Sequence, residues 1–247
     1  MNRRWKWVLG AVVALIVAIP VGTYLYIHVI QDEPPPPLSL DSAAPSTSAV
    51  APTTAAPTSV AAVTTPTTAA PASSAFSGTW RPTTGSVLGY RVKEVLFGQS
   101  NEAVGRTSDV TGSMVIDGAS VSTVDLTVNM KTVKSDSGQR DGQFQGRIMN
   151  TSSFPTATFK LTQPVTLPAV PADSAVVDAK ATGELTLRGR TRTVTFDLKA
   201  QHDGTSVKVN GTIPIVFADY NIPNPSFGPA STEDNGVIEF LVVFAKA

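Results

Sequence analysis

The apolar residues of this chain follow three different patterns in three successive segments. Residues 7–30 form one continuous run without Asp, Glu, Lys or Arg. Residues 34–75 consist almost wholly of Pro, Ala, Thr, Ser and Val, with Asp41 as the only charged residue. From Phe76 onward, apolar and polar residues alternate with a period of two, which is typical of β-strands. The pattern predicts three units: residues 1–33, 34–75 and 76–247.

The apolar run is long enough to cross a membrane as a single helix. At about 1.5 Å per residue, residues 7–30 exceed the roughly 30 Å thickness of the hydrocarbon core. Three basic residues precede the run and two acidic residues follow it, which predicts a cytoplasmic N-terminus and an extracytoplasmic C-terminal domain. A cleaved signal peptide is the alternative, but its apolar region is typically about 7–15 residues. We therefore expect residues 1–33 to be a cytoplasmic tip and an uncleaved transmembrane anchor.

The second segment has the composition of a disordered linker. Residues 34–75 cannot bury enough apolar surface to offset the entropy cost of ordering them. As a flexible coil the segment would span about 40 Å, and as extended polyproline about 130 Å. We therefore expect a spacer that holds the following domain away from the membrane, within the cell envelope.

Eight segments of the C-terminal unit have the alternation and the β-branched or aromatic residues typical of strands. They are residues 86–95, 110–117, 123–133, 156–162, 177–187, 191–201, 206–217 and 236–245. Asp117-Gly118 and Asp203-Gly204 are typical hairpin dipeptides, and Gly189-Arg190 lies where another tight turn is needed. The pattern predicts an all-β fold, an eight-stranded antiparallel barrel, with an immunoglobulin-like sandwich as the alternative.

One stretch, residues 140–160, interrupts the strand pattern. Phe144 and Ile148 stand four residues apart, which places them on the same face of a helix. The step from Phe154 to Pro155 then favours extended backbone. We predict a short helical insertion followed by a turn and a strand.

The last predicted strand is apolar on both faces, except at Glu239, whereas residues 192–199 are apolar on one face only. An eight-stranded barrel is just wide enough either to be filled by its own side chains or to hold one slender ligand. The sequence leaves both alternatives open, with a packed core as the default expectation.

Composition argues against several classes of function. Nineteen basic and nineteen acidic residues give no net charge, so we expect no nucleic-acid partner. The absence of cysteine excludes disulfides, thiolate metal sites and a lipid-modified N-terminal cysteine. The C-terminal unit has one histidine, His202, beside Asp203-Gly204, and we interpret it as a solvated turn residue. Because no phosphate loop, zinc motif or nucleophile elbow occurs, we expect neither an enzyme nor a metal or cofactor site.

Three groups of residues resemble the YceI-like family of lipocalin-like, polyisoprenoid-binding domains. The first is Arg140-Asp141 followed by the run Phe-Pro-Thr-Ala-Thr-Phe at residues 154–159. The second is Gly-Glu-Leu-Thr-Leu-Arg-Gly at residues 183–189 with the strand that follows, and the third is Ser-Val-Leu-Gly-Tyr-Arg-Val-Lys at residues 86–93. The resemblance covers residues 76–247 and implies an elongated barrel that encloses a long isoprenoid chain.

The resemblance and the apolar strand faces together define candidate ligand contacts. These candidates are Tyr90, Val92, Phe144, Ile148, Phe159, Leu187, Phe196, Phe217 and Phe240. Arg140 and Asp141 are candidates as well, because they fit either an ion pair at the start of the helix or contacts with the polar head of a ligand. The chain departs from the family at Glu94 and Gln143, where the family often has histidine, which implies different head-group recognition.

These patterns together predict a membrane-anchored, extracytoplasmic protein that holds a long polyisoprenoid, such as a quinone tail or a polyprenyl carrier. The alternative is a filled-core interaction module displayed in the cell envelope. We expect the partners to be an isoprenoid lipid and, through residues 7–30, the membrane. The sequence leaves oligomerisation open.

Overall fold

The computed structural model describes residue 21 and residues 34–43, 76–96, 98–228 and 230–247. Apart from residue 21, the predicted anchor lies outside these residues, and so does the rest of the predicted linker, residues 44–75. Among the residues that the structure describes, no helix is both long enough and apolar enough to cross a membrane.

The described part of the chain contains thirteen strands. In chain order they are β1 Gly78–Pro82, β2 Val87–Leu96, β3 Gln99–Thr107, β4 Val110–Asp117, β5 Ser120–Asn129, β6 Lys134–Ser135, β7 Thr156–Gln163, β8 Val165–Thr166, β9 Val176–Leu187, β10 Arg190–His202, β11 Ser206–Val216, β12 Ala230–Thr232 and β13 Asn235–Lys246. Helix α1 covers Gly138–Gln143 and continues directly into a π-helical turn, Phe144–Ile148. Short 3-10 turns cover Leu40–Ala43, Met130–Thr132 and Phe217–Tyr220.

Eight of the described strands close into an antiparallel barrel in the order β1, β4, β5, β7, β9, β10, β11, β13. Strand β13 closes the ring because its two edges have different partners. One edge pairs with β11 along its whole length, whereas the other pairs with β2 at residues 237–241 and with β1 at residues 244–246. The predicted all-β, eight-stranded antiparallel barrel with one short helix is confirmed.

The loop between β1 and β2 fills the gap where β13 changes partner. The backbone N–H of Thr83 donates to the carbonyl of Val243 at 2.8 Å. The hydroxyl of Ser86 donates to the same carbonyl at 3.2 Å and accepts from the N–H of Val243 at 3.0 Å. Because a buried backbone group without a partner is costly, this serine replaces the missing strand hydrogen bonds.

All eight predicted strands exist, but the closed ring does not contain the same eight. The segment predicted at residues 86–95 is β2, which forms a hairpin with β3 beside the ring. The ring contains β1 instead, whose sequence Gly-Thr-Trp-Arg-Pro is too short to show an alternation. The three predicted hairpin turns are confirmed between β4 and β5, β9 and β10, and β10 and β11.

The two ends of the barrel are covered by different elements. The end that we call the helix end is covered by α1, the π-helical turn and the turn at residues 149–155. The end that we call the loop end is covered by Phe76 and by residues 167–175, here called the closing loop.

The first part of the predicted linker lies on the outer face of the barrel. Residues 34–43, here called the proline strap, receive hydrogen bonds from side chains of β2, β3 and β11. The 3-10 turn at the end of the strap contacts β10, β11 and β13. This contact accounts for the two apolar faces of the last strand, because one face points into the barrel and the other lies beside the strap.

Candidate functional site

The interior of the barrel is hollow. It contains a cavity of about 260 Å³, enough for on the order of twenty water-sized spheres, whereas packed cores rarely contain voids larger than one water molecule. The cavity reaches from Phe144 and Met149 at the helix end to Phe76 and His202 at the loop end. Of the two alternatives that the sequence left open, the structure favours the hollow interior.

Small side chains on two adjacent strands leave this volume open. Ala179 and Ala181 of β9 and Ala200 of β10 face the cavity. Their cross-strand partners are larger, since Ala181 pairs with Phe196 and Ala179 with Leu198. Leucine at the alanine positions would fill part of the space, so the cavity follows from the choice of residues and not from the strand number alone.

Three phenylalanine rings cross the wall in a row. The rings of Phe159 and Phe196 meet edge to face at 5.5 Å, and those of Phe196 and Phe240 at 5.7 Å. A glycine on each intervening strand makes room for the rings. A Cβ atom at Gly183 would lie 2.5 Å from the ring of Phe159, and one at Gly211 would lie 2.7 Å from that of Phe240. The rings of Phe159 and Phe240 therefore lie close against the neighbouring strands and not in the centre of the barrel.

Tyr90, which lies nearer the helix end, also packs its ring against a glycine of the neighbouring strand. Its ring lies over Gly105 of the neighbouring strand, where a Cβ atom would be 2.4 Å from the ring. On its other side it stacks on Phe144 with the centroids 5.0 Å apart. Burial raises the pKa of Tyr90 above its ordinary value, so at neutral pH the hydroxyl is protonated and can donate a hydrogen bond.

The helix at the helix end is held in place by Asp141. This buried carboxylate accepts from both the backbone N–H and the hydroxyl of Ser135, each at 2.8 Å. Ser137 caps the helix by accepting from the N–H of Arg140. Because Ser135 belongs to a strand that pairs with β3, these bonds fasten α1 to the wall and place Phe144 over the cavity.

Arg140 and Asp141 form ion pairs with other residues, not with each other. Arg140 pairs with Glu94 at 3.0 Å and with Asp136, and Asp141 pairs with Lys134 at 3.4 Å. Neither residue is part of the cavity wall. The structure shows that both residues have ion-pair partners within the domain, and their contact with the polar head of a ligand stays a prediction.

The interpretation of His202 as a solvated turn residue is wrong. Asp203-Gly204 does form the turn, but His202 is the last residue of β10, and its side chain is only 11% exposed. Its Nε2 atom donates to the carbonyl of Pro171 at 2.9 Å. Its ring meets that of Phe76 edge to face, with the ring centroids 4.5 Å apart. The even-numbered positions of β10 face inward, so the period-two pattern that placed Phe196 would also have placed His202 on the wall.

The structure brings six of the eleven candidate ligand contacts together on the cavity wall. They are Tyr90, Phe144, Phe159, Leu187, Phe196 and Phe240. Val92 and Phe217 are buried in the core but not on the wall, and Ile148 packs against that core.

Sequence reasoning missed several residues of the wall. Phe76, Met114 and Ile116 come from the chain around β1 and β4. Met114 and Ile116 alternate in a predicted strand, so periodicity contained a signal for them. Phe76 lies outside any predicted strand, and no local pattern points to it.

Comparison with protein families and curated proteins finds relatives of this domain. A family model described as the YceI-like domain matches residues 80–244. A UPF0312 protein of Pseudomonas aeruginosa is 33% identical over 138 residues, which cover 52% of this chain and 68% of that protein. A UPF0312 protein of a Shewanella species is 30% identical over the same shares of the two chains.

Two solved structures are similar in fold. A polyisoprenoid-binding domain from Saccharophagus degradans, implicated in plant cell wall breakdown, matches with a TM-score of 0.56 and 16% identity. The match covers 69% of this chain and 99% of that one. BcnA of Burkholderia cenocepacia matches with a TM-score of 0.50 and 19% identity, over 64% of this chain and 95% of that one.

Proposed function

The chain belongs to the YceI-like domain family, and on this premise we propose that its barrel binds and holds a long isoprenoid lipid. The observation that carries the proposal is the hollow interior with an almost entirely apolar wall. A dry apolar cavity favours an apolar guest, because burying the guest removes its surface from water. In this proposal the protein is a binding protein and not an enzyme.

The shape of the cavity supports a slender guest. The wall of β9 runs from Val177 at the loop end to Leu187 at the helix end, a contour of about 33 Å at roughly 3.3 Å per residue. With the strand tilt of about 35–45° that is usual in barrels, the interior is about 25 Å long. A branched hydrocarbon chain such as a quinone tail or a polyprenyl carrier fits this length and the apolar wall.

One structural relative is named for the same ligand class. The Saccharophagus degradans domain is described as polyisoprenoid-binding, and a ligand of that class suits the cavity of the present chain. Tyr90 is the one phenol on the wall within the described residues. Its buried hydroxyl is our candidate donor to a carbonyl or phosphate oxygen at the ligand head.

We propose in addition that residues 7–30 anchor the protein in a membrane, with the N-terminus in the cytoplasm and the barrel in the cell envelope. The support is the uninterrupted apolar run and the basic residues before it. A lipid-binding barrel held at a membrane would have its ligand available in the same membrane.

The ligand proposal is tested by analysis of what the protein carries. The full chain is purified from membranes, washed, and its bound lipids are extracted and identified by mass spectrometry. We expect about one isoprenoid lipid per chain, and a loss of most of it in Ala181→Leu/Ala200→Leu, which fills the cavity. Thr193→Leu adds a similar side chain on the exposed outer face of β10 and serves as the control. An empty wild-type protein that binds no added isoprenoid would refute the proposal.

A further inference from the structure

The outer wall of the barrel has a buried face where solvent would be expected. Glu239 and Leu241 of β13 point outward, because Phe240 between them lines the cavity. Yet Glu239 is 2% exposed and Leu241 is fully buried. Val104 of β3 also points outward and is buried. This face lies under the proline strap, next to the hydrogen bonds that hold residues 34–43.

The buried carboxylate orients two arginines. Glu239 accepts from Nε of Arg106 at 2.7 Å and lies 3.4 Å from Nε of Arg91. Arg91 also pairs with Glu102 at 2.5 Å. A buried charge is tolerated only when paired, and here both arginines supply the pairing. Both guanidinium groups are thus fixed on the wall. Nη2 of Arg91 also donates to Glu239 at 3.4 Å, and the Nη2 atom of each arginine is within hydrogen-bond distance of the strap.

Those Nη2 atoms bind the strap. Arg91 Nη2 donates to the carbonyl of Pro35 at 2.6 Å. Arg106 Nη2 donates to the carbonyl of Pro36 at 2.5 Å. Further along, the amide of Asn210 donates to the carbonyl of Leu38 at 3.0 Å.

Proline suits this site for a physical reason. Residues 34–37 are four consecutive prolines, which lack a backbone N–H and favour the extended polyproline conformation. Their carbonyls need donors from elsewhere, and the arginines provide them. Because the segment is stiff before it binds, little conformational entropy is lost on docking. The wall therefore contains a preformed site for this part of the chain.

The position of the strap in the sequence limits how far the barrel can be from the anchor. The apolar run ends at residue 30, and the strap begins at residue 34. Four residues span at most about 14 Å. Residues 44–75 then connect the strap to Phe76, and they do not separate the anchor from the barrel. A flexible linker over residues 34–75 would instead span about 40 Å.

We propose that the proline strap docks the barrel against the phospholipid surface, with the wall of β2 and β3 toward the bilayer. This inference rests on the anchor proposed above, and it adds the orientation and the distance. A lipid would then pass between bilayer and cavity without the barrel having to travel along a long tether.

The orientation is tested with the full chain in phosphatidylcholine vesicles that contain a phospholipid with a nitroxide quencher on its head group. The chain has no cysteine, so Lys93→Cys and Lys160→Cys each accept a single fluorophore. Both lysines are exposed; Lys93 lies on β2, and Lys160 lies on β7, across the ring from β13. Given the short reach of four residues, we expect at least about twofold stronger quenching at residue 93 than at residue 160.

Two matched variants show whether the strap causes the difference. Replacing residues 34–40 by alternating Gly and Ser keeps the length but removes the prolines and both leucines, and we expect the quenching ratio to fall to about one. The same replacement at residues 51–57 leaves the strap intact and should leave the ratio unchanged. Circular dichroism checks that each barrel is folded.

Lipid content measured on the same samples separates this inference from the ligand proposal. Equal quenching at the two positions in the wild-type chain, or a ratio that survives loss of the strap, overturns the docking whether or not lipid is bound. A chain that does not sediment with the vesicles also overturns it. Unequal quenching in a protein that carries no lipid supports the docking and refutes the ligand proposal alone.

Discussion

The two ends of the barrel are closed by different kinds of contact. At the helix end, Phe144 is buried against Tyr90 and α1 is fastened to the wall by the buried Asp141. At the loop end, the closing loop is held mainly by hydrogen bonds that involve Gln201 and His202. Several residues of the loop are exposed. Opening the helix end would break apolar packing, whereas opening the loop end would break a few partly exposed hydrogen bonds.

This difference indicates which end admits a ligand. Local opening is easiest where few apolar contacts are buried and the hydrogen bonds are near solvent. The closing loop meets both conditions. We therefore expect the helix end to contribute stability and the loop end to control the exchange of ligand.

The largest effect is expected at the helix end. Phe144→Ala removes a buried ring from its stack on Tyr90, and substitutions of this type cost about 3–5 kcal/mol. Denaturant unfolding measures the loss. Phe227→Ala, at a phenylalanine that is 54% exposed, should cost less than about 0.5 kcal/mol. Equal losses of unfolding free energy in the two variants would show that Phe144 contributes no more to stability than an exposed phenylalanine.

A smaller effect on stability, and a larger one on exchange, is expected at the loop end. Gln201→Ala removes the hydrogen bond from its amide to the carbonyl of Ser174, which measures 2.8 Å. One such bond contributes about 1 kcal/mol. Release of a fluorescent fatty acid or isoprenoid analogue, followed by stopped flow, should become faster than in the wild type.

The opposite outcome is faster release of the probe by Phe144→Ala than by Gln201→Ala under conditions where both are folded. That result would make the helix end the route of exchange. The exposed Gln163, on β7, provides a control substitution to alanine away from both closures.

The smallest effect is expected from the turn beside the closing loop. The pKa of Asp203 is lowered to about 2, chiefly by the backbone N–H of Ser206, with further hydrogen bonds from Ser206 and Thr205. A lowered folded-state pKa means that the stabilisation is present above the unfolded-state pKa of about 4 and is lost as the pH falls through the folded value. Because Asp203 is almost fully exposed, water weakens the effect.

Asp203→Ala tests the pH dependence of this turn. The wild type should be slightly more stable than the variant at pH 5, and the difference should shrink as the pH falls from about 4 to about 2. Urea unfolding of both proteins across this range measures it. A difference that stays constant with pH would mean that the carboxylate charge contributes nothing to the turn.

The helix end was largely predictable from sequence, whereas the loop end was not. The apolar residues Phe144 and Ile148 are four positions apart, whereas apolar residues in the flanking segments recur every two positions. The helical insertion was therefore visible in the sequence as an interruption of the strand pattern. The loop end combines Phe76, His202 and Pro171, which are far apart in sequence. Period two places His202 on the wall, but no pattern connects it with the other two residues. Only the pairing of the strands brings them together.

The proline strap shows a second limit of sequence reasoning. Composition treats residues 34–75 as one uniform segment, yet the first ten contact the barrel. Their partners, Arg91, Arg106 and Asn210, are about 50 to 170 residues away in the chain. Nothing local marks these residues as strap contacts. The apolar residues Val237, Leu241 and Val243 on the outer face of β13 were the one visible sign that this face is covered.

Thermal melting of Ala181→Leu/Ala200→Leu shows whether the hollow barrel holds an apolar ligand. Wild type and variant are melted after delipidation and again with added isoprenoid. We expect the delipidated variant to melt no lower than delipidated wild type, and added isoprenoid to raise the melting temperature of the wild type alone. A variant destabilised by about 1–3 kcal/mol per substitution, as in a filled core, with no effect of lipid on the wild type, would show that the cavity is not a ligand site.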